Sequence, residues 1–216
     1  VTRDLVLVAA SGLAREVLAT ARAAGSYESF VVVDDDPRRW GATLDGVPVI
    51  GGLEEVKALD DHDVVACAGK GSSRRGITAR LEAMGVQPER WARIVHPAVE
   101  GAAGCQIGPG SVLLAGTVLT ADVVVGAHVV AMPHVTLTHD CVVEDHATLC
   151  AGVSLGGGVR VGEAAYVGMN ACVREGLALG AGSVLGMGSV LLRDLPPDQT
   201  WAGVPAAPLT TRGARP

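Results

Sequence analysis

The chain has 216 residues, 49% apolar and 19% charged, which suits one or two domains with a sizeable core and excludes disorder as the main state. A formal charge of −6 with 17 Lys and Arg, and only 3% aromatics, lacks the basic surplus and stacking platforms of a nucleic-acid binder. Cys67, Cys105, Cys141, Cys150 and Cys172 form no C-x-x-C pair, and no apolar run is long enough to span a membrane, so the expectation is a reduced, cytoplasmic protein with no structural zinc or disulfide framework.

Residues 5–9 read as a buried strand, Ala10-Ser11-Gly12 as a turn and 15–24 as a helix. A second apolar strand, 30–33, runs into Asp34-Asp35-Asp36-Pro37. Next come a short strand (47–50), a short helix (54–59), a third main strand (64–68), a helix (74–84) and a last strand (91–95). This alternation predicts a small parallel sheet with helices packed on it, a Rossmann-like half domain over residues 1–96.

From residue 97 to 209 the pattern changes. An aliphatic residue recurs every sixth position, from Ile107, Leu113, Leu119 and Val125 through Leu185 and Leu191, with only Ala131 smaller. The second position of each hexad is often Gly (Gly108, Gly126, Gly156, Gly162, Gly168, Gly180, Gly186), and the fifth is small or β-branched. A period of six fits neither a helix nor an alternating strand; it predicts a parallel β-helix with faces one hexad wide. Three hexads close a triangular coil, so residues 18 apart stack, and Gly, Asn and Asp near corners tolerate positive φ. The unbroken register predicts that no long loop leaves the prism, and the tail 210–216 reads as disordered.

This hexad run resembles the hexapeptide-repeat acyltransferases. The resemblance implies a left-handed coil and a homotrimer with active sites between neighbouring prisms. Trp201-Ala202-Gly203-Val204-Pro205-Ala206 is similar to the segment that closes these enzymes and covers the edge of the last coil.

Four histidines fall within this half: His128, His134, His139 and His146. By the 18-residue rule His128 stacks with His146, and His139 with Gly157. The segment Thr138-His139-Asp140-Cys141-Val142-Val143-Glu144-Asp145-His146 resembles the active-site segment of bacterial sialic-acid O-acetyltransferases and of the sugar N-acetyltransferases of bacillosamine and perosamine synthesis. Carried over, the resemblance makes His139 the general base and Asp140 its orienting partner. It places His146 near the thioester carbonyl, makes the Gly157 N–H an oxyanion donor, and sets Gly168, Met169 and Gly186 along a coenzyme A groove. His128 and His134 read as scaffold or surface.

The first half is similar to the nucleotide-sugar domain of the same family at Ser11-Gly12, at Asp34-Asp35-Asp36 and at Gly46-Val47-Pro48-Val49-Ile50-Gly51-Gly52. The resemblance implies acceptor binding by Ser11, Gly12, Asp34 and Asp35, with pyrophosphate at the strand-turn-helix start. Departures occur on the acceptor side. Ala9-Ala10-Ser11-Gly12-Leu13-Ala14 lacks the first Gly, the His and the last Gly of the family turn; Gly69-Lys70 replaces a frequent Gly-Asp or Gly-Asn; and Met132-Pro133 replaces Asn-Thr beside the acceptor.

The expected function is transfer of an acetyl group from acetyl-CoA, with no metal, to an amine or hydroxyl of a small acceptor. That acceptor is a nucleotide-linked amino sugar or, given the departures, a non-nucleotide acceptor of specialised metabolism. Two rivals are a γ-carbonic-anhydrase-like zinc enzyme, for which Ala98 stands where a third histidine is needed, and a non-catalytic sugar-nucleotide sensor.

Overall fold

The computed structural model describes residues 3–209, so the tail expected to be disordered lies outside the described residues. Five strands form the first sheet: β1 (Arg3–Val8), β2 (Tyr27–Val33), β3 (Thr43–Leu44), β4 (Val47–Gly51) and β5 (Asp63–Ala66), in the order β3-β4-β2-β1-β5. All neighbours are parallel except the β3–β4 pair. Leu5 through Val8 are fully buried, as a central strand covered on both faces requires.

Helix α1 (Gly12–Ala24) starts three residues earlier than the apolar pattern indicates, because Ser11 caps it: Ser11 Oγ accepts the Ala14 N–H at 3.1 Å. It ends at Gly25, whose φ of 64° closes the helix. Helix α2 (Gly71–Ala83) also starts three residues early, and the expected helix at 54–59 is a 3-10 turn over Leu53–Ala58. The expected strand 91–95 shrinks to Ile94–Val95. It pairs with Val112–Leu113 and so opens the second architecture, while just before it Trp91 makes a single parallel bridge to Val64 at the edge of the first sheet.

From Ile94–Val95 to Val190–Leu191 the strands are two-residue rungs of a left-handed parallel β-helix. Face 1 carries Ile94–Val95, Val112–Leu113, Val130–Ala131, Thr148–Leu149, Tyr166–Val167 and Val184–Leu185. Face 2 runs from Glu100–Gly101 to Val190–Leu191, and face 3 from Gln106–Ile107 to Ala178–Leu179. Rungs pair 18 residues apart, as in Val118↔Thr136↔Ser154↔Cys172. The hexad aliphatics and the small fifth residues together fill one continuous interior. Thr200–Ala202 continues face 1 below Val184 and pairs antiparallel with Ala207–Pro208, while Trp201 and Ala206 bury into the end of the prism.

Two glycine positions do different work. Left-handed φ falls on the fourth hexad residue in every coil: Gly110, Gly116, Asp122, His128, His134, Asp140, His146, Gly152 and onward. Second-position glycines face the next coil instead; a Cβ on Gly108 would meet Gly126 backbone at 2.4 Å. Gly there permits stacking, and residues that tolerate positive φ make the corner.

The first domain sits on face 1. Helix α1 packs against Ile94, Val112, Leu114 and Val130. Below α2, Arg74 is wholly buried and makes every contact a guanidinium can. Its Nε donates to His128 O (2.7 Å), Nη1 to Ala68 O (2.6 Å), and Nη2 to His146 O (2.6 Å) and Ala147 O (2.9 Å).

Candidate active site

His139 and Asp140 stand at the corner between faces 2 and 3. Asp140 holds the left-handed turn with φ 61°, so its short side chain lies back beside the residue before it. His139 Nδ1 is 2.7 Å from Asp140 Oδ2, and both side chains are two-thirds exposed. This is the geometry of an imidazole oriented through one nitrogen with the other left for a substrate proton.

One coil on, Gly157 lies under the far edge of that ring. A Cβ there would fall 2.4 Å from both Cε1 and Nε2 of His139, so Gly157 is the residue that gives the ring its place. The Gly157 N–H has no acceptor among the described residues, while its carbonyl accepts the Gly176 N–H at 2.8 Å. A free N–H beside a base is the arrangement an oxyanion needs.

His146 is not part of this group. Seven residues past His139, it takes the corner position between faces 3 and 1, with φ 61°, under the first domain. Its ring stacks on His128 at 5.0 Å, and its Nε2 is 3.1 Å from Thr78 Oγ1. Trp91 meets His128 edge-on at 4.7 Å. Burial holds the His128 imidazole down to about 4 and lowers His146 as well, so both rings are neutral packing groups at neutral pH. Within one protomer the prism separates His146 from His139 and Gly157.

Gly168, Met169 and Gly186 stack along the corner between faces 1 and 2, where Met169 and Met187 are exposed. A Cβ on Gly168 would meet Met187 N at 2.5 Å, and one on Gly186 would meet Ala202 Cβ at 2.7 Å, so close coil stacking already requires both glycines.

On the acceptor side, internal bonds occupy the β1–α1 turn. Ser11 Oγ donates to Cys67 O at 2.6 Å. Asp34 accepts the Ala10 N–H at 2.7 Å and the Asp36 N–H at 2.8 Å, and Arg39 donates to Ala10 O. Asp35 pairs with Arg80. Gly12 opens α1, and a Cβ added there would meet nothing within 4 Å. Met132 instead lines a cleft of about 1020 Å³ between face 1 and the residues following β5, together with Lys70, Ser72, Arg75, Glu163 and Tyr166. Apart from Met132, none of those was a sequence-level candidate. The signal available was Gly69-Lys70-Gly71-Ser72, a small-residue turn with one cation between a strand and a helix.

Residues 4–81 match the family model described as the PglD N-terminal domain. No curated protein matches by sequence. Among solved structures, the acetyltransferase domain of PglB from Neisseria gonorrhoeae FA1090, in complex with acetyl coenzyme A, is 32% identical, with a TM-score of 0.89, covering 97% of this chain and 100% of that one. The chain belongs to the hexapeptide-repeat sugar acetyltransferases. A variant of perosamine N-acetyltransferase from Caulobacter crescentus, in complex with CoA and GDP-perosamine, is 28% identical at a TM-score of 0.88, covering 96% of this chain and 97% of that one. WeeI from Acinetobacter baumannii AYE is likewise 28% identical, at 0.85, covering 96% and 100%. Membership makes this protein an acyl-CoA-dependent acyltransferase. No helix among the described residues is long and apolar enough to cross a membrane.

Proposed function

We propose that the protein transfers an acetyl group from acetyl-CoA to the amine of a nucleotide-linked amino sugar, with His139 as general base. The observation that carries this reading is the His139–Asp140 contact at 2.7 Å, with the free ring edge over Gly157. The amine nitrogen attacks the thioester carbon while His139 Nε2 takes its proton. The Gly157 N–H donates to the oxyanion, and collapse expels the coenzyme A thiolate, which recovers the proton from the imidazolium. Asp140 keeps Nδ1 protonated and stabilises that imidazolium.

The site is completed by a neighbour in a homotrimer. The corners that flank face 2 carry His139 and Gly157 on one side and Gly168, Met169 and Gly186 on the other. Past Glu100 on the first rung, the outward column of face 2 between them is Val118, Thr136, Ser154, Cys172 and Val190, without charge. A second prism against that column brings its base corner to the first prism's methionine corner. Coenzyme A then lies between the two, as the family resemblance implies.

Thiol release from acetyl-CoA over a panel of amino sugars and their nucleotide conjugates tests the reading. His139→Ala lowers kcat at least about a hundredfold. Asp140→Asn keeps a residue tolerant of φ 61° and still lowers kcat about tenfold or more. A His139→Ala enzyme within threefold of wild type removes the base assignment.

A further inference from the structure

Of the four histidines on the prism, three have partners. His128 and His146 stack on each other under the first domain, and His139 meets Asp140. The side chain of His134 makes no hydrogen bond, ion pair or ring contact among the described residues. It is exposed, and with φ 61° it turns the corner between faces 1 and 2, between Val130–Ala131 and Thr136–Leu137. Its ring lies over Gly116, where a Cβ would meet Nδ1 at 2.6 Å, much as the His139 ring lies over Gly157.

That corner is also the one along which Gly168, Met169 and Gly186 stack. Over three successive coils it reads Leu114-Ala115-Gly116, Met132-Pro133-His134 and Cys150-Ala151-Gly152, so His134 is the one exposed polar side chain it offers there. In a homotrimer, rotation about an axis parallel to the prism leaves height along that axis unchanged. Rungs 18 residues apart are one strand spacing apart, so the five residues between His134 and His139 amount to only about 1.3 Å of height. The partner's His139, brought against this corner, therefore arrives level with His134. On the same scale Met169 and Gly186 lie about 8 Å and about 13 Å further along, where the coenzyme A arm leads away from the base. Met132, two residues before His134, lines the cleft of about 1020 Å³ beneath α2, so an acceptor held against the first domain reaches that base past His134.

We infer that His134 is an acceptor-binding residue of the neighbouring active site: its imidazole hydrogen-bonds a ring hydroxyl of the sugar whose amine gives its proton to the partner's His139. The inference rests on the acyl-transfer reading and on the homotrimer proposed with it.

The experiment is steady-state thiol release with acetyl-CoA and the fastest acceptor of the panel. His134→Gly keeps the turn, since Gly116 and Gly152 hold the same place one coil to either side. It is expected to lower kcat/KM for the acceptor about tenfold or more, mostly through KM, with the KM for acetyl-CoA within about twofold and Tm unmoved. His134→Asn tolerates the same φ and still hydrogen-bonds, so it recovers part of the loss, whereas a purely structural corner would treat Asn and Gly alike. Mixed trimers test the reach across the interface. His134→Gly and His139→Ala chains with different tags are co-expressed and purified through both tags. At either ratio, one site per mixed trimer joins an intact His139 to an intact His134 of its neighbour, so about a third of wild-type kcat/KM returns.

Four results overturn the inference. His134→Gly within threefold of wild type toward the acceptor removes the contact. A loss that falls on acetyl-CoA instead removes the acceptor as its partner. Mixed trimers no more active than their His134→Gly parent confine both histidines to one chain, and a preparation that yields no doubly tagged assembly has no shared site. A crystal structure with coenzyme A needs no acceptor: it is expected to show both rings facing the thiol, and a His134 turned away from the partner's His139 refutes the placement. An active His139→Ala enzyme strikes the base assignment instead, so the two readings fail separately.

Discussion

Replacing Arg74 by Met tests what joins the two domains. The guanidinium bonds four carbonyls at 2.9 Å or less. Of these, Ala147 O keeps another donor, the Val130 N–H at 3.0 Å, and Gly69 O, the more distant fifth, keeps the Thr148 hydroxyl at 2.9 Å. The carbonyls of Ala68, His128 and His146 have no second donor among the described residues. Leaving each unsatisfied costs about 1–2 kcal/mol. Relief of a cation stripped of water works the other way, since burial already pulls the Arg74 pKa down to about 10. A net loss of about 3 kcal/mol is expected, which for a chain of this length lowers Tm by roughly 6–12 °C. Arg74→Lys keeps the charge but not the planar fork, and is expected to fall between. Thermal unfolding followed by circular dichroism at pH 7.5 measures both. A Met variant that melts within 2 °C of wild type would show that water or a small shift satisfies those carbonyls, and the argument for a guanidinium clamp would fail.

The buried imidazoles give a pH dependence of definite sign. An unfolded His binds its proton near pH 6.5, whereas folded His128 resists until about 4, so stability falls as pH drops from 6.5 toward 4, by on the order of 2–3 kcal/mol. His128→Asn, which tolerates φ 55°, is expected to flatten that slope in urea titrations between pH 7.5 and 4.5; an unchanged slope would place the protonation elsewhere. Gly157→Ala is expected to tilt the His139 ring and lower kcat about thirtyfold or more with Tm nearly unmoved, because the ring that must yield is exposed. Full activity in that variant would detach Gly157 from the base. Ala9 sits at φ 82°, where the family turn has Gly, so Ala9→Gly is expected to raise stability by about 0.5–1 kcal/mol, and a lower urea midpoint would contradict the strain.

The hexad period made the prism legible because one backbone constraint repeats in every coil, and an error in any single residue is outvoted. It also carried the stacking of His128 on His146 and of His139 over Gly157, both 18 residues apart. Of the four histidines gathered in one stretch, three, His128, His134 and His146, hold the same left-handed corner position that Gly, Asp and Asn hold elsewhere. His is among the few residues that position accepts, so clustering alone did not mark a site. His139 differs by one place: it precedes a corner residue rather than being one, and its ring is therefore free to meet Asp140. The interval to His146 is seven residues, more than one hexad, and so carries the chain to the next corner. Arg74 was beyond such counting. Arg74 faces the prism through a helix whose apolar stripe is weak, and its partners on the prism are backbone carbonyls 54 to 73 residues away, which no side-chain pattern records.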